Sequence, residues 1–248
     1  MRARVDREDV SVDPSMSGSE PVADVDPSLW ADPAATYDKV APAYTARFLH
    51  ELDDKPFDRE ILTRFAAATR PGSREGHPVC DLGCGPGHVG AFLAAGGVDT
   101  VGIDLSAGMV AQARLSYPAM TFSQGDMTAL DRPDHSFAGI VCFYALIHVP
   151  RSQVPAALSE MYRTLVRGGA LLLAVHGGLG TLHADEMVGK PANLDVTLFS
   201  LDELSGLVQG AGFAIVEARQ RAPYEMEHPT PRLYVWAIKE ASSGAWGR

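Results

Sequence analysis

The chain has 248 residues, 46% of them hydrophobic, and a formal net charge of −10. That is enough apolar material for one sizeable core. No apolar run reaches the ~20 residues that span a bilayer, and the opening residues lack the apolar stretch of a secretory leader. An acidic chain with no basic stripe is a poor partner for nucleic acid. The expectation is therefore a soluble, cytoplasmic protein, with no membrane contact, that handles a neutral or cationic small molecule.

Residues 1–30 are rich in Asp, Ser and Pro and lack periodicity, which predicts a disordered acidic tail. The domain is expected over 31–240, with a short C-terminal tail at 241–248. Ala35, Tyr37, Val40, Ala41, Tyr44 and Phe48 recur at helical spacing, so Pro33–His50 reads as an amphipathic helix lying over the domain. A second helix is predicted over Arg59–Arg70, stopped by Pro71-Gly72, so that 31–70 forms a pair of covering helices. From Pro78 the pattern alternates. Strands are predicted at Pro78–Leu82, Thr100–Asp104, Met120–Ser123, Ala138–Tyr144 and Ala170–Val175. Between them lie helices at His88–Ala95, at Ala107–Tyr117, and from a Ser152 cap to Gly168-Gly169. Buried strands alternating with helices predict a doubly wound, mostly parallel sheet.

The last third departs from this alternation. Gly177–Phe199 reads as a long, irregular, lid-like insertion over 177–200. Ser200-Leu201-Asp202-Glu203 is a capping box that opens a short helix. The runs Phe213–Arg219 and Arg232–Lys239 are joined by too few residues for a crossover, so they are predicted to pair antiparallel.

The chemistry concentrates after the first strand, in Val79-Cys80-Asp81-Leu82-Gly83-Cys84-Gly85-Pro86-Gly87-His88. Glycines at alternate positions let a ligand lie against the backbone, and a helix N-terminus beyond them favours an anionic group. Gly85–Gly90 also reads as Gly-x-Gly-x-x-Gly, the dinucleotide fingerprint. Asp81, however, stands where a pyrophosphate would be repelled and an ammonium welcomed. Asp104 ends the second strand, 21 residues after Gly83, where a carboxylate can take both hydroxyls of a ribose. Met109, one turn into the next helix, can flank a base. Cys80 and Cys142 fall in apolar strand-like runs, and Cys80 and Cys84 have no second Cys/His pair at metal-ligand spacing. His183, Asp185, Glu186 and His228 match no metal motif either, so no metal is expected.

The Asp-x-Gly-x-Gly-x-Gly loop, with a C-terminal antiparallel strand pair after five parallel strands, resembles the class I S-adenosylmethionine (SAM) dependent methyltransferases over roughly residues 35–240. This family has a Rossmann-like, seven-stranded sheet, mostly parallel, with helices on both faces. The resemblance implies SAM as cofactor. It implies contacts from Tyr37 in the covering helix, from Asp81, Gly83, Cys84, Gly85 and Gly87 in the loop, and from Asp104, Leu105 and Met109. Asp126 and Met127 would serve the adenine, and Phe143 the methyl end. His148, in Leu146-Ile147-His148-Val149-Pro150, is the candidate catalytic base, since imidazole titrates near neutrality; a loop-shaping role is its alternative. Tyr44, Tyr144, His176, Phe199 and Tyr224 are the candidate contacts of a small-molecule acceptor methylated on O or N. The rival readings are an NAD-dependent oxidoreductase and a SAM-binding protein that transfers no methyl.

Overall fold

The computed structural model describes residues 30–240; the expectations for residues 1–29 and 241–248 lie outside the described residues. Among those described, no helix is long and apolar enough to cross a membrane. Two helices come first, α1 (Pro33–Phe48) and α2 (Pro56–Arg74). The alternating unit follows: β1 (Val79–Leu82), α3 (His88–Ala95), β2 (Thr100–Asp104), α4 (Ala107–Ser116), β3 (Thr121–Gln124), β4 (Phe137–Phe143), α5 (Val154–Thr164) and β5 (Leu165–His176). The chain ends with β6 (Thr181–Met187), β7 (Lys190–Thr197), α6 (Leu201–Gly210), β8 (Ala214–Arg221) and β9 (Arg232–Ile238).

Seven strands form one sheet in the order β3-β2-β1-β4-β5-β9-β8. The first five pair in parallel, and β9 runs antiparallel to both β5 and β8, as the short 222–231 connection predicts. The apolar run of β5 shows why both faces are covered. Leu171, Leu173 and Val175 pack with Val154, Leu158 and Met161 of α5 and Leu204 and Val208 of α6. Leu172 and Ala174 point the other way, toward Ile61, Leu62 and Phe65 of α2 and Leu93 of α3, as a two-residue strand period requires. The strand order reverses between β1 and β4, so their loops diverge and leave a crevice at the carboxyl ends.

Three local expectations need correction. First, α2 continues through Pro71 to Arg74. The proline forfeits only the bond to the carbonyl of Ala67, and Ala67 lies on the exposed face, within reach of water. Second, Ser152 does not cap α5. It sits in a 3-10 turn (Arg151–Gln153), and the helix opens at Val154-Pro155, where proline suits the first turn. The chain then passes into β5 at Leu165, well before Gly168-Gly169.

Third, 177–199 is no irregular lid. It is a β-hairpin in which Thr181 pairs with Thr197 and Met187 with Lys190. Its two-residue turn places Val188 and Gly189 at φ 47° and 74°, the twist that joins tight hairpins. A β-branched residue there, in place of Asn or Asp, hid the turn from the sequence pattern. The hairpin docks on α1: the Thr36 hydroxyl donates to the Asn193 carbonyl (2.7 Å) and the Ala31 N–H to Asp195 Oδ2 (2.8 Å).

Candidate active site

A cavity opens at the carboxyl ends of β1, β2 and β4, under α1. Gly83 is its hinge point. At φ 73°, a Cβ there would lie 2.1 Å from the Ala145 Cβ, so the β1 and β4 loops meet only across a bare backbone. Gly85 differs: at φ 51° it lines the cavity, and a Cβ would meet no atom within 4 Å. It is a cradle that a side chain would fill.

Asp104 faces this cradle. Its Oδ2 accepts the Gly85 N–H (2.7 Å) and its Oδ1 the Ser106 N–H (2.8 Å). Each oxygen keeps acceptor capacity for a hydroxyl. Burial raises its pKa, against the pull of the two amides. Ser106 caps α4 through Met109 N (3.0 Å), so Asp104 is spared that duty. Leu105, Met109, Gly125, Asp126 and Met127 continue the wall. Asp126 is braced by Thr128, whose N–H and hydroxyl both reach Oδ1 at 2.8 Å.

The roof is α1. Asp38 accepts from the Ser106 hydroxyl (2.5 Å) and the Gly108 N–H (2.7 Å). Its charge sits at the N-terminus of α4, where a helix favours an anion. One face of α1 thereby presents Tyr37 and Tyr44 to the cavity, with ring centroids 5.5 Å apart.

His148 closes the far side. Its Nδ1 lies 3.2 Å from the Asp195 carbonyl and its Nε2 2.8 Å from the Tyr37 hydroxyl. A carbonyl only accepts, so Nδ1 carries the proton and Tyr37 donates to Nε2. Burial lowers the imidazole pKa to about 4, despite the Asp195 carbonyl, and raises that of Tyr37. The Trp30 indole N–H also donates to the His148 carbonyl (3.2 Å). Phe143 and Tyr144 complete the wall. Tyr144 takes φ 54°, a costly conformation held by its N–H to the Ala174 carbonyl (2.7 Å).

Six candidate residues stand elsewhere. Asp81 is only 2% exposed and lies beneath the loop, where it accepts the Gly90 N–H at 2.8 Å. Burial pushes its pKa up to about 6, against nearby His88. It fastens α3 to the loop and does not line the cavity. Cys84 packs with Phe122. Gly87 is the left-handed cap of α3, and a Cβ there would strike the Phe122 ring at 2.9 Å. Phe199 is wholly buried in the core, which removes it from any acceptor surface. His176 bonds the Thr230 hydroxyl (2.7 Å) behind Tyr144, 5.3 Å from that ring. Tyr224 lies against the Arg221 guanidinium at 4.0 Å and accepts the Phe57 N–H.

The 222–231 loop is therefore pinned, not free. Arg221 bridges Asp58 (2.8 Å) and Glu227 (2.6 Å), while Lys55 and His88 share Glu51 at 2.6 and 2.9 Å. The Arg221–Asp58 and His88–Glu51 partners are far apart in sequence, and no local pattern announces them. Among the described residues no cluster could hold a metal ion.

A crevice at the strand-order reversal, with a glycine cradle facing a carboxylate, is the place where open α/β sheets bind their ligands. Comparison with known proteins narrows this. Residues 79–169 match the family described as a methyltransferase domain. A demethylmenaquinone methyltransferase of Beutenbergia cavernae is 38% identical over 143 residues, 58% of this chain and 57% of that protein. A malonyl-[acyl-carrier protein] O-methyltransferase of Erwinia billingiae is 36% identical over 114 residues, 46% and 42% of the two chains. The chain thus spans about half the length of these curated relatives. The solved DhpI–SAH complex superposes with a TM-score of 0.63 at 20% identity, covering 84% of this chain and 95% of that one, which shows a shared fold. Residues 79–169 resemble a methyltransferase domain, and the sheet has the fold of solved SAM-dependent methyltransferases.

Proposed function

We propose that this protein is a SAM-dependent methyltransferase that methylates an O or N atom of a small molecule, and that its cofactor lies in the cavity under α1. The observation that supports this most directly is the pairing of Asp104 with the open backbone at Gly85. Two carboxylate oxygens, each already steadied by one amide, suit the paired hydroxyls of a ribose. Asp126, Met127, Met109 and Leu105 line the same cavity and would hold the adenine. Phe143 and Tyr37 then flank the methionine end.

The cofactor supplies a methyl group already activated on a positive sulfur. What remains for the protein is to align the acceptor, exclude water and receive a proton. The α1 roof and the aromatic walls serve the first two needs. His148 Nε2, an unprotonated nitrogen beside the cavity, serves the third. A specialised metabolite is the acceptor that this compact domain suits.

The test is calorimetric titration with S-adenosylhomocysteine (SAH), with NAD as control. Micromolar binding of the first alone supports the reading. Binding of NAD without SAH would overturn the assignment of the glycine loop and every contact that depends on it.

A further inference from the structure

We infer that the acceptor is a neutral aromatic hydroxyl compound, and that its proton leaves through Tyr37 to His148 rather than directly to His148. This rests on the transfer reading above and concerns the part of the cavity lined by Tyr37, Tyr44, Phe143, Tyr144 and His148.

The Nε2 lone pair of His148 is already taken by the Tyr37 hydroxyl at 2.8 Å, and the Nδ1 proton is held by the Asp195 carbonyl. The acceptor therefore meets Tyr37, not the imidazole. A phenolic oxygen that donates one bond still has lone pairs to accept another. Tyr37 lines the cavity, so a hydroxyl inside it can donate to Tyr37 while Tyr37 donates to His148. Such a chain favours an acceptor with a proton to give.

Charge narrows the class. No Lys or Arg is among the described residues that line the cavity, whereas Asp104 and Asp126 are. A carboxylate or phosphate acceptor would enter without a counter-ion, at a high desolvation cost. The cations stacked behind the cavity wall on Tyr144, Lys55 and Arg232, are already paired with Glu51 and Glu227. The wall at this end is aromatic, built from Tyr44, Phe143 and Tyr144, and suits the face or edge of a ring. Phenols are also more acidic than alkyl alcohols, which matches a weakly basic imidazole.

In the transfer, the acceptor O–H bond breaks and its proton joins Tyr37 as the Tyr37 proton moves to His148 Nε2. The oxygen pair forms the bond to the methyl carbon, and the carbon–sulfur pair stays on sulfur as a neutral thioether. The positive charge thus passes from sulfur to imidazolium, so the cavity carries the same net charge before and after. His148 later loses its proton to water. Tyr37 is in this account a catalytic residue, and the Asp195 carbonyl positions His148 by fixing its tautomer.

The test uses the full chain with 15N-labelled histidine, saturated with SAH and titrated with 1-naphthol or 1-naphthoate. The expected result is a His148 protonated on Nδ1, a 1-naphthol-induced shift of its Nε2 resonance, and 1-naphthoate binding weaker by roughly tenfold or more. In Tyr37→Phe that shift should vanish and 1-naphthol should bind roughly two- to tenfold more weakly. A His148 protonated on Nε2, a shift that persists in Tyr37→Phe, or equal binding of the naphthoate would overturn the inference. If SAH does not bind, the cofactor reading fails. The tautomer, read on the free protein, then still decides the Tyr37–His148 chain, even should Tyr37→Phe not fold.

Discussion

Tyr37 and His148 lie 111 positions apart in the chain, yet their side chains share a 2.8 Å hydrogen bond across the mouth of the cavity. The bond joins α1, laid over the sheet, to the 3-10 turn that follows β4. Through the Asp195 carbonyl it reaches the β6–β7 hairpin as well. Roof, wall and hairpin thus meet at one imidazole. With an acceptor in hand, His148→Ala is expected to lower kcat by roughly 10²–10⁴-fold, the usual range for losing a general base. SAH affinity, read by calorimetry, should change by less than about threefold, because Asp104 and the glycine loop are untouched. An unaltered kcat would make His148 a structural residue.

Asp104→Ala removes the two oxygens proposed to hold the ribose. Hydrogen bonds to a charged group contribute about 1.5–3 kcal/mol each, so a loss of roughly a hundredfold or more in SAH affinity is expected. Circular dichroism should confirm that the fold survives. Undiminished SAH affinity would remove Asp104 from the site.

Gly83 and Gly85 separate folding from binding. Gly83→Ala forces a Cβ to 2.1 Å from Ala145 at a positive φ and should cost about 2 kcal/mol or more, a fall in Tm of roughly 5 °C. Gly85→Ala meets no atom, so its stability cost is only the left-handed strain of about 1–2 kcal/mol. Its methyl group stands in the cradle, and SAH binding should suffer most there. Equal SAH affinity in Gly85→Ala and the unaltered protein would argue against the cradle.

Asp58 is fully buried, bonded to Arg221 at 2.8 Å and to the Tyr234 hydroxyl at 3.0 Å. Asp58→Ala leaves the Arg221 guanidinium with one carboxylate instead of two and should destabilise by about 3–5 kcal/mol. Chemical denaturation measures this directly. A change below 1 kcal/mol would show that Glu227 alone satisfies Arg221, contrary to the ~3 kcal/mol scale of such losses.

The buried histidines set an acid limit. Burial holds the His148 pKa down to about 4. It holds that of His176 down to about 3, with help from Arg232 and His228. Both fold neutral, while the unfolded chain binds a proton near pH 6.5. Their contribution is therefore complete above about pH 6.5 and is lost as the pH falls through the folded values. Asp81, raised to about 6 by burial, opposes this over part of the window, because it prefers its proton in the folded state. Thermal melts from pH 7 to pH 4 should show a net fall that is shallower in a His148→Gln, His176→Gln double variant. An identical slope would mean that other groups carry the acid sensitivity.

Much of the frame was legible in the residues because it is local. The bounds read for α3 and β2 coincide with those observed, since each is a short apolar run closed by glycine or by an acid. The capping box holds as read, with Glu203 N donating to Ser200 Oγ at 3.1 Å. The antiparallel pairing of β8 with β9 followed from one connection too short to cross over. Asp104 was legible as a cavity residue because it ends a parallel strand, whereas Asp126 and Met127 were reached through the family resemblance.

What the residues alone determined is thus a doubly wound sheet with a glycine cradle and an acid that faces it. Such features arise from periodicity, glycine geometry and strand ends. Tertiary structure decided which charged and aromatic groups face the ligand. Asp81 and Phe199 look like site residues and prove to be buried supports, while Asp38 fastens the roof to α4. The Val188-Gly189 turn, the Arg221–Asp58 pair and the Tyr37–His148–Asp195 joint each depend on long-range approach or on a backbone twist that side-chain identity does not encode. Partners 47 to 163 residues apart leave no spacing to read. Their geometry exists only once the sheet has brought α1, β4 and the hairpin to the same edge.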